Sequence, residues 1–164
     1  MSYTIRHAQS RADFLGKAAV HHQAWQETYA GMLDPDWLAS RSLAFSQERA
    51  LRAAAQNIPT LVALDGEQVV GFCDYGPARD ADLTSAGEVY ALYLLSSHQG
   101  QGIGGALMAQ ALQELATYPQ MVVWTLQANV RAQAFYAHHG FVPDGAEHTL
   151  VLGTPVTDIR LIRR

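Results

Sequence analysis

Cysteine and lysine are nearly absent: Cys73 and Lys17 are the only ones among 164 residues. A lone cysteine excludes an intramolecular disulfide framework and a cysteine-rich zinc site, and it suits a reducing compartment. Long hydrophobic runs are missing too. The longest apolar stretches, such as Val89–Leu95, fall far short of the ~20 residues that span a bilayer. The opening residues Met1-Ser2-Tyr3-Thr4-Ile5-Arg6 carry no apolar signal core. These absences lead to the expectation of a cytoplasmic protein with no membrane partner. Positive charge is scarce as well. Eleven basic residues against 15 acidic ones give a net charge of −4. Nucleic acid is therefore not an expected partner, because phosphate binding needs a clustered basic face. The tail Arg160, Arg163, Arg164 reads as a solvated strand end.

What is present is an ordinary globular composition, 49% hydrophobic with 13 Gly and 6 Pro. A chain of this length buries roughly two-thirds of its extended surface, so it folds without staples, as one domain over residues 1–164. Tyr3–His7 alternates as a strand. Helical spacing then runs from about Arg11 to Ala55, broken at Gly31 and Pro35. Asp34 is a cap before Pro35, and a second helical run covers Trp37 to Ala55. Thr60–Leu64, Asp65-Gly66 and Val69–Tyr75 form a hairpin signal. Glu88–Leu95 is a strand, followed by a glycine cluster that opens a helix. Met121–Leu126 is a strand, Asn129–His139 a helix closed by Gly140, and two strands follow at about Ala146–Leu152 and Val156–Ile162. This order predicts an α+β, layered fold with a mixed, mostly antiparallel central sheet of about seven strands and helices on both faces.

Strand, then Gln99-Gly100-Gln101-Gly102-Ile103-Gly104-Gly105, then helix, is an arrangement that can hold a phosphate. Glycine lets the backbone approach a ligand, and the free N–H groups of the first turn point at an anion with the positive end of the helix dipole. The same cluster also serves as a tight strand-to-helix turn. A Walker A loop is excluded, because no Gly-Lys-Ser/Thr follows. A dinucleotide fold is disfavoured, because strand 121–127 ends without the acid that would hold a ribose.

Leu92-Tyr93-Leu94 followed by Gln99 to Gly104 resembles the acyl-CoA motif Gln/Arg-x-x-Gly-x-Gly/Ala of the GNAT superfamily of N-acetyltransferases. Asn129, Phe135-Tyr136 and Gly140-Phe141 are similar to that family's second CoA motif, in which an Asn opens a helix carrying Phe-Tyr before Gly-Phe. Arg6-His7-Ala8, Trp25 to Tyr29 and Pro35 to Leu38 also resemble the N-terminal part of one bacterial branch. The resemblance implies a GNAT-like fold with acetyl-CoA as cosubstrate; no metal is expected, because His21-His22 and His138-His139 are adjacent pairs and not the i, i+4 pairs that point two imidazoles at one ion. The resemblance also implies a splayed strand on which Leu92, Tyr93 and Leu94 line the pantetheine, and a pyrophosphate held by Gln99, Gly100, Gln101, Gly102, Ile103, Gly104 and Gly105. Ser96 departs from the family's usual Pro, and Gln101 from its usual Lys or Arg.

Asn129 and Tyr136 stand two helical turns apart, on one face of a helix. With the resemblance, Tyr136 is expected to protonate the leaving CoA thiolate, Asn129 to serve as cap and cofactor contact, and Phe135 to fill the core. Alternation puts Glu88, Tyr90, Leu92 and Leu94 on one strand face. An alkyl amine is less than ~0.1% neutral at pH 7, so transfer needs a base. Glu88, through a water, is the candidate, and Tyr90 is the reserve. Trp25, Tyr29 and Trp37, with Glu27, Asp34 and Asp36 near them in sequence, suit a cationic acceptor through cation–π contact and charge steering. The expected activity is acetyl transfer to a primary amine, either a small cationic amine or a peptide N-terminus. The alternative is a non-catalytic acyl-CoA sensor or regulatory module. A homodimer stays open.

Overall fold

Short polar side chains set the helix boundaries. In the computed structural model, which describes residues 2–164, β1 (Thr4–His7) leads into α1 (Arg11–Tyr29). Ser10 and Asp13 form a reciprocal capping box at the start of α1. Asp34 accepts from the Trp37 amide at 2.9 Å and starts α2 (Pro35–Ser40). Ser42 accepts from the Phe45 amide and starts α3 (Leu43–Ala55). The run expected as one helix from Trp37 to Ala55 is therefore two, because Ser42 offers the backbone a fresh N-cap. The remaining elements are β2 (Thr60–Asp65), β3 (Gln68–Pro77), β4 (Ala86–Leu94), α4 (Ile103–Glu114), β5 (Gln120–Leu126), α5 (Val130–His138), β6 (Val142–Leu152) and β7 (Thr154–Arg163).

The seven strands form one sheet in the order β1-β2-β3-β4-β5-β7-β6. All neighbours are antiparallel except β4 and β5, which run parallel. That parallel pairing covers only Ala86↔Gln120 to Val89↔Val123. Beyond it β4 stays on β3 as far as Leu94, while β5 stays on β7 as far as Leu126. The sheet thus opens a seam between its two middle strands. A bulge sits where the seam opens: Asp74 pairs with Ala91 and Tyr75 with Val89, leaving Tyr90 as the extra residue.

Helices cover both faces. α1 lies over Phe72 and Asp74, and α3 packs on α1. α4 lies on the other face, where the missing side chain of Gly71 leaves room for Leu94 and Leu107. Lys17 is buried, its Nζ 2.7 Å from Asp74 and over the Phe72 ring. No helix among the described residues is long and apolar enough to cross a membrane.

Two expectations from the sequence are corrected. The bulge flips the alternation of β4. Gly87 faces Leu115 of α4, and Glu88 and Tyr90 face the other way, with the Tyr90 ring over Gly76. After the bulge, Leu92 and Leu94 return to the α4 face, so Glu88 and Tyr90 do not share a face with them. The tail is not a solvated strand end at Arg160. That guanidinium is 5% exposed and is held by Asp82 and Asp144 at 2.7–2.8 Å, with Asp80 at 3.6 Å.

Candidate active site

The α4 side of the seam is built from backbone. Gly100 and Gly102 have φ of 73° and 84°, a conformation that glycine adopts at little cost. Gly102 is the N-cap of α4 and supplies no side-chain acceptor. The first intrahelical bond there runs from the Ala106 amide to the Gly102 carbonyl, which leaves the amides of Ile103, Gly104 and Gly105 free to meet an anion. A Cβ at Gly100 or Gly102 would meet nothing within 4 Å, so the space beside these amides is open. Leu95 donates to Val70 of β3, so by alternation Leu92 and Leu94 turn their N–H and C=O groups toward the seam. The Leu94 carbonyl accepts from the Gln99 side chain at 3.3 Å. Gln101 reaches back to the Ser97 carbonyl and is exposed. These are the features that an elongated ligand with amides and a pyrophosphate needs.

α5 completes that side. The Asn129 oxygen accepts from the Ala132 amide at 3.1 Å and caps the helix. Phe135 lies against Gly104 at the start of α4 and is half-buried, whereas Tyr136 is the more deeply buried ring, beside Phe141. The expected division of labour between these two aromatics is thus reversed in burial. The Tyr136 ring is 7% exposed, so its phenol sits in a nearly dry environment. Burial pushes its phenol well above the usual range, so it is protonated at neutral pH.

The α1 side is built from side chains. Tyr93, expected with the cofactor set, pairs with Phe72 of β3 through its backbone and sends its ring to the α1 face. There its hydroxyl meets that of Tyr29 at 2.8 Å. Trp25 packs edge-on against Tyr29, and its buried indole N–H lies in the Tyr29–Tyr93 cluster without a well-formed hydrogen bond among the described residues. Trp37 carries the chain's own cation, the Arg41 guanidinium, 4.6 Å from its ring centre. His21 is held neutral in this cluster, burial drawing its imidazole down to about 3.

The acids expected near these aromatics are engaged elsewhere. Glu27 accepts from the Ser96 hydroxyl, Asp34 caps α2, and Asp36 is exposed in the first turn of that helix. Glu88 is 1% exposed and accepts from the Arg79 backbone and guanidinium. Tyr90 donates to the Pro77 carbonyl, beneath Arg79. Sequence reasoning missed Asp158. It lies on β7, opposite Leu126 on one side and His148 on the other, and makes no hydrogen bond or ion pair among the described residues. Burial pushes its carboxyl up to about 6, with His148 opposing the rise and Glu88 adding to it. The signal available in the sequence was an acid inside the otherwise uncharged run Val156–Ile159.

Comparison with known proteins agrees with this geometry. A family profile described as the acetyltransferase (GNAT) domain matches residues 56–143. An N-acetyltransferase of Bacillus subtilis, YuaI, is 32% identical over 129 residues, covering 77% of this chain and 73% of the relative. A probable N-acetyltransferase of Mycobacterium tuberculosis is 29% identical over 140 residues, covering 84% of this chain and 79% of that one. Among solved structures, the PaiA N-acetyltransferase of Thermoplasma acidophilum in complex with coenzyme A superposes with a TM-score of 0.78 at 20% identity, covering 100% of this chain and 99% of that one. The opened seam, the glycine-built anion cradle and these matches define an acyl-CoA-dependent transferase. The chain belongs to the GNAT family of acetyltransferases and is an acetyl-CoA-dependent enzyme.

Proposed function

We propose that this enzyme moves the acetyl group of acetyl-CoA directly to a primary amine, either a small cationic amine or a peptide N-terminus. The observation that carries the reading is the opened seam: β4 leaves β5 after Val89, with the glycine cradle at the start of α4 on one side and the Tyr29–Tyr93 hydroxyl pair on the other.

In this reading the amides of Gly100–Gly105 hold the pyrophosphate, with Gln99 and Gln101 beside them, and Leu92 and Leu94 pair with the pantetheine amides. Asn129 orients the start of α5 and offers its amide nitrogen to the cofactor. Tyr136 donates a proton to sulfur as the C–S bond breaks. Trp25, Tyr29 and Tyr90 border the acceptor. An amine with a pKa near 10.4 arrives protonated, so a carboxylate must relieve it of a proton. Glu88, acting through a water, is the base that the sequence alone suggests, but its carboxylate is committed to Arg79, which leaves the role to a carboxylate without such a partner. We place the reaction in the cytosol on the strength of the single cysteine.

Thiol release from acetyl-CoA, measured with polyamines, amino-acid amides, aminoglycosides and short peptides, tests the proposal. Turnover is expected with cationic primary amines. Turnover confined to acidic acceptors would overturn it.

A further inference from the structure

We infer that Asp158 is the group that receives the acceptor's ammonium and takes its proton. The inference rests on the amine-acceptor reading above and adds the residue that such a reading requires. Asp158 projects from β7 at the level of Leu126, beyond the point where β4 and β5 part, on the sheet face shared by Arg160 and Trp124. Its neighbours come from several elements. His148 lies across from it on β6 and stacks on Trp124 of β5, with ring centres 3.9 Å apart. Leu126, its register partner on β5, packs in one cluster with Trp25 and Tyr29 of α1, and the Tyr29 hydroxyl meets that of Tyr93 of β4. Glu88 of β4 is the other acid in range, and Arg79 neutralises it. Two residues along β7, Arg160 is committed to Asp80, Asp82 and Asp144.

The contrast with the other acids carries the argument. Glu88 holds a guanidinium and a backbone amide, and Asp80, Asp82 and Asp144 share Arg160, with Asp80 also bonded to the Trp124 indole. Asp158 alone in this wall is half-buried, set between Leu126 and His148, and unpaired among the described residues. A half-buried carboxylate left without a partner is costly unless a cation arrives. A proton on the ammonium passes to the Asp158 carboxylate. The freed nitrogen lone pair forms the C–N bond at the acetyl carbonyl carbon as the C–S bond breaks. Tyr136 gives its proton to sulfur and regains one from the acetylated nitrogen, and Asp158 releases its proton to solvent. The sum is ammonium plus thioester to amide, thiol and one proton.

The test compares wild type, Asp158→Asn, Asp158→Glu and Glu88→Gln across pH 5–9, using spermidine and an amino-acid amide as acceptors. Melting and calorimetric acetyl-CoA affinity confirm that each variant is folded. Wild-type kcat/KM is expected to fall at acid pH with a midpoint near 6, where Asp158 gains its proton. Asp158→Asn should lower kcat/KM by about 10²-fold and abolish that limb, and Asp158→Glu should recover part of both. Glu88→Gln should keep the limb but move its midpoint down, because the charge that raises Asp158 is gone. Carbon-detected NMR of the Asp158 carboxyl in the free protein should titrate at the same midpoint. An unchanged limb in a folded Asp158→Asn, or its loss in Glu88→Gln, would overturn the assignment and leave the amine reading standing. A wild type that binds acetyl-CoA yet turns over neither these acceptors nor any other amine would overturn both.

Discussion

On the α4 side of the seam, the groups that would meet a ligand are main-chain amides at Ile103–Gly105 and main-chain edges at Leu92 and Leu94. On the α1 side they are the side chains of Trp25, Tyr29, Tyr93, His148 and Asp158. A backbone site is specified by conformation, so a short glycine pattern encodes it and most side-chain changes leave it intact. A side-chain site is specified by which residues the fold gathers, so it can change acceptor while the cofactor half stays as it is. In the proposed reading the first half holds the cofactor and the second selects the acceptor.

The largest effect is expected where the backbone half can be broken. Gly102→Val should weaken acetyl-CoA at least 10²-fold by calorimetry. It forces a β-branched residue into a φ of 84° and fills the open space beside the cradle. An unchanged affinity would show that the cradle is only a turn. Next, Tyr136→Phe should lower kcat about 10²-fold with acetyl-CoA affinity within about threefold. It keeps the ring that packs against Phe135 and Phe141, so the fold should survive. Normal turnover would return Tyr136 to a purely structural role.

Smaller effects sharpen the boundary between the halves. Trp25→Phe keeps an aromatic ring against Tyr29 but removes the unpaired indole N–H. The amine KM should rise about tenfold, about 1.4 kcal/mol, with acetyl-CoA affinity unchanged. A loss of stability at constant KM would make Trp25 core alone. Smallest of all, Gln101→Arg should tighten acetyl-CoA by about threefold at low salt, and the gain should fade as salt rises, because the position is exposed and adds only a screened charge.

The turns and helix caps on the α4 side were legible in the sequence for local reasons. Helix caps, positive-φ glycines and a strand-turn-helix order act within a few residues, and Asp34, Asn129 and Gly140 stand where that reasoning put them. Where local pattern misled, a longer-range competitor had won. The helix through Trp37–Ala55 yielded to the Ser42 cap. The common face of Glu88, Tyr90, Leu92 and Leu94 yielded to a bulge that period-two counting cannot see. The aromatics at Trp25, Tyr29 and Trp37 do sit together, but the cation over Trp37 is the protein's own Arg41.

By itself the sequence determined the α+β class, the glycine turn that opens α4 and the Asn129 cap of α5, since each depends on backbone conformation or spacing within one segment. Only the tertiary structure decided that Glu88 is ion-paired, that Arg160 is buried among three aspartates, and that Asp158, half-buried beside His148, has no partner among the described residues. The surroundings of Arg160 and Asp158 follow from the strand order β5-β7-β6, and Arg160 meets Asp82 from 78 positions away. Nothing in the local pattern around Asp158 reports which charges the sheet brings to it, and burial and neighbouring charge are what decide whether a carboxylate holds or releases a proton.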